Sequence, residues 1–412
     1  MPLSCSLESI LPTSLISSRN TFGLTVMDSL IKLFKSIFCF SSEAYISLTS
    51  ILFTILLKIK PLRVRLMPLQ RVTFEETLKK HVIDSLLCTG CASCVISCPF
   101  NCLEYAEGSP RLISECKVCG ICAQICPKFN LSIPDLERFI FNRERSINEE
   151  FGVYKRVLVT QTTSSEIMSV CQDGGVVTSL LTFALEEGII DGAVLSGGSL
   201  DKPLKGVPKL ALSKNDILEC AGTKYTYSPN MLALRDGVRR KIGKLAFVGT
   251  PCQIHAIRRI QMLPLKKYAN PVKFTIGLFC SESFTYEGLI NQILKAGIKP
   301  DDVIRINIKG KLLLKMRNGE VKALPLKDFK ASSCVFCNTC LDFSAELADI
   351  SAGGLGLEGW TLTIVRSEIG DELFSKAESR GVIRAKPLED KNLLDLLIKI
   401  SRRKRERNKA PT

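Results

Sequence analysis

From Val153 onward the chain alternates short apolar runs with segments whose apolar residues recur at helical spacing. The runs KRVLVT, GAVLSG, KLAFVGT, KFTIGLFC, VIRINI and TLTIVRS read as strands, and VVTSLLTFALEEG and NMLALRDGVRRKIG read as helices between them. Such alternation predicts an α/β domain, a mixed sheet flanked by helices, over residues 153–389. Residues 67–133 lack it and are dense in cysteine. Pro134 then opens a connector, residues 134–152, built on a charged amphipathic helix from Asp135 to Arg145. Residues 390–412 form a last helix, from about Asn392, that runs out into RRKRERNK and reads as a solvated basic tail.

Residues 1–66 differ in texture: they are rich in Ser, Leu, Ile and Phe and poor in acid. Their most apolar piece, Ala44 to Leu57, is 14 residues long, short of the roughly 20 that a spanning helix needs. Lys58, Lys60, Arg63 and Arg65 follow at once. Two readings stand, a start placed ahead of a true beginning at Met67 and a basic, apolar segment lying on a membrane surface.

Composition changes the picture in three ways. With 412 residues, 46% of them hydrophobic and 24% charged, the chain is ordinary globular material of more than one domain, which excludes disorder and a polytopic membrane protein. The net charge of +15 sits largely at the ends, and no stripe interleaves cations with aromatic residues, so nucleic acid is excluded as a partner. Only two histidines, His81 and His255, leave no material for imidazole triads or His-rich zinc centres. Most of the 18 cysteines fall in C-x2-C runs, which suits metal-bound thiolates in a reducing cytoplasm better than disulfides.

Cys88-x2-Cys91-x2-Cys94-x3-Cys98-Pro99 and Cys116-x2-Cys119-x2-Cys122-x3-Cys126-Pro127 are two copies of one pattern, that of the two-cluster bacterial ferredoxin. It predicts an α+β ferredoxin domain over residues 67–133. Three stepped thiolates wrap one 4Fe-4S cluster and the cysteine before proline reaches the neighbouring one. Cys88, Cys91, Cys94 and Cys126 are therefore expected on one cluster, and Cys116, Cys119, Cys122 and Cys98 on the other. Zinc, the competing reading, takes its cysteines in two pairs. Cys102, Cys171 and Cys220 read as packed thiols. A third group, Cys334-x2-Cys337-x2-Cys340, repeats the three steps without a close fourth. Cys280, closing KFTIGLFC, is the expected fourth ligand, and Cys252 in GTPCQ is the other candidate. A structural zinc site suits this group as well.

In the large domain, Gly174 and Gly175 follow Asp173 at a helix start, where backbone amides can approach an anion. Gly249, Thr250, Cys252 and Gln253 follow the strand LAFV, where ligands of α/β sheets bind. Lys224 and Tyr225 in AGTKYTYSP offer a cation and a ring, and GGLG with Gly359 and Trp360 offers close approach. Taken in order, DGGVVTSLL, AGTKYTYSP, FVGTPCQIHAIRR, IGLFC, CVFCNTCLD and ADISAGGLG with GWTLTIVRS resemble the beta-subunit family of coenzyme F420 hydrogenase and dehydrogenase, over roughly Val153 to Glu389. Fused behind a two-cluster module, the arrangement looks most like the F420H2-oxidising subunit of F420H2 dehydrogenase.

The resemblance implies FAD in the large domain, one further 4Fe-4S cluster there, and coenzyme F420 as substrate. F420 carries electrons in pairs as hydride and iron–sulfur clusters take them singly, which gives the flavin its place. No catalytic side chain is expected. F420 ends in phosphate and carboxylates, so Lys224, Arg258 and Arg259 are candidates for a basic groove. A redox partner protein or a membrane electron-transfer complex would receive the electrons, placing the chain in the cytoplasm or on the cytoplasmic face of the membrane. Two alternatives use the same parts: a ferredoxin-dependent reductase of an organic substrate, and a non-enzymatic electron-transfer subunit.

Overall fold

The computed structural model describes residues 71–406. The apolar extension, residues 1–66, Met67 and the end of the basic tail lie outside the described residues.

The short cysteine-rich helices come first. Each C-x2-C-x2-C run enters its helix through a left-handed residue, Ala92 (φ 67°) before Ser93–Ser97 and Gly120 (φ 68°) before Ile121–Ile125. That reversal curls the preceding loop so that successive thiols turn inward. Both helices end at a cysteine in extended backbone, Cys98 and Cys126, because the proline that follows disfavours helical geometry in the residue before it. A hairpin of β1 (Leu103–Ala106) and β2 (Ser109–Leu112) lies between the two runs. The connector helix is Ile133–Phe141, shorter than the expected Asp135 to Arg145, because Asn142 adopts φ 57° and caps it.

Eleven further strands follow among the described residues: β3 (Arg156–Thr162), β4 (Gly192–Gly198), β5 (Gly206–Ala211), β6 (Leu245–Gly249), β7 (Val272–Leu278), β8 (Val303–Lys309), β9 (Lys311–Met316), β10 (Val321–Leu324), β11 (Ile350–Gly353), β12 (Thr361–Val365) and β13 (Ile383–Pro387). Eight make one mixed sheet in the order β13-β3-β12-β11-β7-β6-β4-β5, flanked by helices, which is the α/β architecture expected. VIRINI, however, is β8, and it pairs with β9 and β10 in a separate antiparallel sheet. Its half-exposed alternation serves a small sheet as well as the edge of a large one.

Pairing directions place the motifs. β4, β6, β7 and β11 run parallel, and β3 shares their direction because it and β11 both lie antiparallel to β12. The carboxyl ends Thr162, Gly198, Gly249, Leu278 and Gly353 therefore share one edge, the edge at which α/β sheets bind ligands. DGG, GTPCQ, Cys280 and GGLG all leave from it.

The ferredoxin-like module is built into this domain. Phe74, Leu78, Val82, Val95 and Ile125 share one buried apolar cluster with Met231, Leu234, Ile254, Ile257 and Ile260 of the helices Met231–Arg239 and Pro251–Met262.

Candidate functional site: three rings of thiols

In the module the structure sorts the eight stepped cysteines into two groups. Cys98, Cys116, Cys119 and Cys122 line one pocket, together with Cys102, Phe74, Phe100 and Leu103. Around Cys94 the thiols that act most strongly are Cys91, Cys126 and Cys88, and Cys126 in turn faces Cys91 and Cys88. Each group thus takes three cysteines from one run and the pre-proline cysteine of the other. Cys102 is buried and its thiol donates to the Glu115 carbonyl at 3.2 Å.

A third ring stands at the carboxyl edge of the sheet. Cys252, Cys280, Cys337 and Cys340 line a pocket with Tyr227, Ser283, Phe336, Lys128, Thr89 and Lys404. Cys334, expected in this set from its spacing, is buried beside it but does not line it, while Cys252, the second choice from sequence, does. The reason is local. Val335–Thr339 is a 3-10 turn with Cys334 as its extended N-cap, and the Cys334 amide donates to the carbonyl of Ser283, a residue of the pocket wall, so the Cys334 thiol stays near enough to those of Cys252 and Cys280 for their charges to act on it without itself lining the void. Cys252, by contrast, is in the first turn of Pro251–Met262, facing the void over the end of β6.

Burial raises the thiols of Cys252, Cys280, Cys337, Cys122 and Cys126 to about 12 and that of Cys88 to about 11, so without metal they stay protonated. Binding iron means releasing those protons. Among the described residues, no three His, Cys, Asp or Glu side chains converge closely enough to share a single ion. The second and third groups instead stand around small voids, and a set of four thiols without a tight single-ion centre fits a multi-iron cluster better than a lone tetrahedral zinc.

The first and third rings are close neighbours. Thr89, between Cys88 and Cys91 of the first, lines the third pocket. The half-buried Tyr227 holds its hydroxyl 3.8 Å from the Cys252 sulfur and is near enough to Cys91 for both thiols to raise its pKa further, desolvation of the hydroxyl being the largest cause. Lys128, just past Cys126-Pro127, crosses over to donate to Thr339 O and Oγ1 at 3.0 Å.

Residues expected to hold organic cofactors divide in two. Gly174 sits against Thr160 O and Thr361 N, where an added Cβ would fall 2.5 and 2.6 Å away, and Gly175 (φ 72°) starts the helix Val176–Glu186, whose N-terminus has no side-chain cap. Its first amides face the carboxyl edge and suit an anion. Gln253 is spent otherwise: it is buried, accepts from the Thr250 amide at 3.0 Å and donates to Ser228 O. Gly249 packs under it, an added Cβ there lying 2.8 Å from its Oε1. Lys224 turns inward and caps the carbonyls of Cys220, Ala221 and Gly222 at 2.6, 2.8 and 3.1 Å. Tyr225 is packed against the small-sheet core.

Arg258 and Arg259 line no groove. Arg258 is buried, paired with Asp349 at 2.9 Å and bonded to Leu347 O and Thr275 Oγ1. Arg259 donates to the carbonyls of Cys126, Phe129 and Asn130 at 2.9, 2.6 and 3.1 Å, clasping the module to the large domain. The cations that do stand near the DGG loop are Arg305, bonded to Val170 O and Cys171 O, and Lys309, whose charge offsets the burial that raises Asp173. Neither carried a motif in the sequence.

Profiles for the coenzyme F420 hydrogenase/dehydrogenase beta subunit match residues 157–235 (its N-terminal part) and 242–391 (its C terminus), and a 4Fe-4S binding domain matches residues 81–104. A coenzyme F420 hydrogenase subunit beta of Methanococcus voltae is 38% identical over 263 residues, 63% of this chain and 94% of the relative. This chain belongs to that beta-subunit family. It is also similar to one subunit of the F420H2 dehydrogenase of Methanosarcina mazei, 28% identical over 78% of this chain and 91% of that one. A coenzyme F420-dependent sulfite reductase of Methanocaldococcus jannaschii is 35% identical over 80% of this chain but 52% of its own length. Among solved structures, a chain of the F420-reducing [NiFe] hydrogenase complex from Methanosarcina barkeri aligns with TM-score 0.61 and 35% identity, over 64% of this chain and 93% of that one. Among the described residues, no helix is long and apolar enough to cross a membrane.

Proposed function

We propose that the chain is an F420-linked oxidoreductase subunit that exchanges hydride between coenzyme F420 and FAD and passes electrons singly, through three 4Fe-4S clusters, to a partner acceptor. The observation that carries the reading is the third pocket: the large domain supplies its four cysteines, while the ferredoxin-like module supplies Thr89 and Lys128 to its wall. A site at the sheet edge and a pair of clusters in the module would thus be joined without a gap of solvent. We assign Cys252, Cys280, Cys337 and Cys340 to the third cluster, Cys88, Cys91, Cys94 and Cys126 to the first, and Cys98, Cys116, Cys119 and Cys122 to the second.

When bound, the flavin would supply two-electron to one-electron conversion and the clusters a relay of single electrons. The chain's own contribution is to bind, orient and insulate. The uncapped amides of Val176–Glu186 would hold the flavin phosphates. Arg305 and Lys309, beside the same loop, would meet the anionic tail of F420. Tyr227 and Phe336, edge-on with ring centroids 5.4 Å apart, line the same pocket and would shield the third cluster.

The test is a cofactor inventory of anaerobically purified full-length chain with an F420 turnover assay. The expected result is about twelve irons per chain, as three four-iron clusters require, one FAD, and rapid bleaching of the flavin by reduced F420. Iron without flavin, or flavin indifferent to reduced F420, would overturn the reading.

A further inference from the structure

The final helix, Lys391–Glu406, lies beyond the family profile, which ends at residue 391. Its basic end, RRKRERNK, reads in the sequence as a solvated tail; Arg402, Arg403 and Glu406 are exposed, residues 407–409 lie outside the described residues, and the structure corrects the reading at Lys404, which is buried, and Arg405, which is half-buried. Leu393, Leu397, Ser401 and Lys404 are buried at helical spacing along one face. Arg402 pairs with Glu150 at 2.7 Å, and Arg405 with the buried Glu346 at 2.5 Å, so the last turns are pinned at two points.

Between those arginines Lys404 points inward. It is 3% exposed, it lines the third thiol pocket, and its Nζ donates to the carbonyl of Cys280. Among the described residues, no carboxylate lies within ion-pair distance of it. The buried Asp342 acts on it from beyond that distance and is itself paired with His255 at 2.9 Å; a buried ammonium without an ion-pair partner of its own is costly, and a fold that keeps one needs a further negative group beside it. A 4Fe-4S cluster held by four thiolates is such a group, and it gains a further negative charge on reduction. Lys128, the other cation of the pocket, is more exposed and bonded to Thr339, so solvent screens it more.

We propose that Lys404 is a positioning residue, the resident counter-charge of the third cluster, which raises that cluster's reduction potential and lets it accept electrons; the C-terminal helix is the strap that delivers it. Net charge and burial near a cluster are established determinants of its potential. The proposal rests on the assignment of a cluster to the Cys252, Cys280, Cys337 and Cys340 pocket.

The test is an EPR-monitored redox titration of the cluster-loaded full-length chain, with the third cluster's signal identified by its loss in Cys337→Ser. Lys404→Gln keeps a donor for the Cys280 carbonyl and removes the charge, Lys404→Met removes both, and Lys404→Arg keeps the charge. In the two neutral variants the third signal's midpoint is expected to fall by at least about tenfold in the oxidised-to-reduced equilibrium, about 59 mV for one electron. Lys404→Arg should stay close to wild type, and the two module clusters should not move. Neutral variants that are fully loaded with an unchanged midpoint overturn the proposal. Neutral variants that lose only the third cluster's iron also overturn it, leaving the lysine as a structural plug. A wild-type chain with about eight irons and no signal sensitive to Cys337→Ser removes the cluster assignment itself, and the proposal with it.

Discussion

Five cysteines stand at or beside the third pocket, where one cluster needs four, and their surroundings decide which is spare. Cys334 does not line the pocket, although its amide is tied to the wall residue Ser283, whereas Cys252 is on the wall itself with the Thr250 hydroxyl 3.3 Å from its sulfur. Cys334→Ser should therefore keep full iron content, while Cys252→Ser should lose a third of it. Iron and sulfide analysis reads the difference, and the reverse pattern would restore the stepped assignment from sequence. Lys224 gives a second prediction at this scale. Burial, reinforced by Arg305, lowers its pKa from 10.5 to about 8. Below pH 8 folded and unfolded chains are both charged there, and the folded one bears the desolvation cost. Between about pH 8 and 10.5 the folded chain releases its proton while the unfolded chain keeps it, so Lys224 makes stability rise with pH. Denaturant unfolding of wild type against Lys224→Met should show that gain, roughly 3 kcal/mol at most across the window, absent from the variant.

At the scale of elements, the final helix is held by packing before it is held by charge. Leu397 is fully buried in the cluster that contains Phe151, Val159, Leu362 and Ile364. Leu397→Ala should cost about 2–5 kcal/mol and lower the melting temperature, with the third cluster the first to lose iron, by cluster-resolved EPR during heating. The spacing of Leu393, Leu397, Ser401 and Lys404 was readable from the sequence; what hid it was the density of charge around it, which normally marks a solvated face. KRVLVT, GAVLSG, KLAFVGT, KFTIGLFC and TLTIVRS were legible as strands because both faces of the sheet are covered and their apolar runs are nearly continuous. β5, β9, β10, β11 and β13 do not stand out in the sequence as strands. β13 carries the exposed cations Arg384 and Lys386, β10 is four residues with none buried, and β11 is four residues, Ile350–Gly353, of which only the first is large. The stepped cysteines of the module announced themselves, since their spacing is set by local loop geometry. Which distant cysteine closes the third ring depends on where β6 and β7 end relative to one another, and no local pattern holds that information.

At the scale of the whole molecule, electrons can pass from the sheet edge to the module only while the two stay docked, and one side chain is central to that contact. Arg259 leaves the helix Pro251–Met262 of the large domain and donates to three carbonyls of the module, Cys126, Phe129 and Asn130, just where the loop carries a first-ring thiol. Its burial lowers its pKa, but an arginine remains charged, so all three bonds are charge-assisted. Arg259→Leu keeps most of the side chain's bulk and its packing on the helix, and removes the clasp. Losing charged hydrogen bonds of this kind costs roughly 1.5–3 kcal/mol each, and the loss falls on docking, because the arginine touches neither the uncapped helix proposed for the flavin nor the wall of the third pocket. The step at the sheet edge and the step across the junction should therefore separate. Flavin bleaching by reduced F420 should proceed at the wild-type rate, whereas reduction of the module clusters, followed by their absorbance after rapid mixing, should slow on the order of tenfold, the amount about 1.4 kcal/mol carries. A junction that does not limit transfer would leave both rates untouched, and an arginine that belongs to the F420 groove after all would slow the bleaching first.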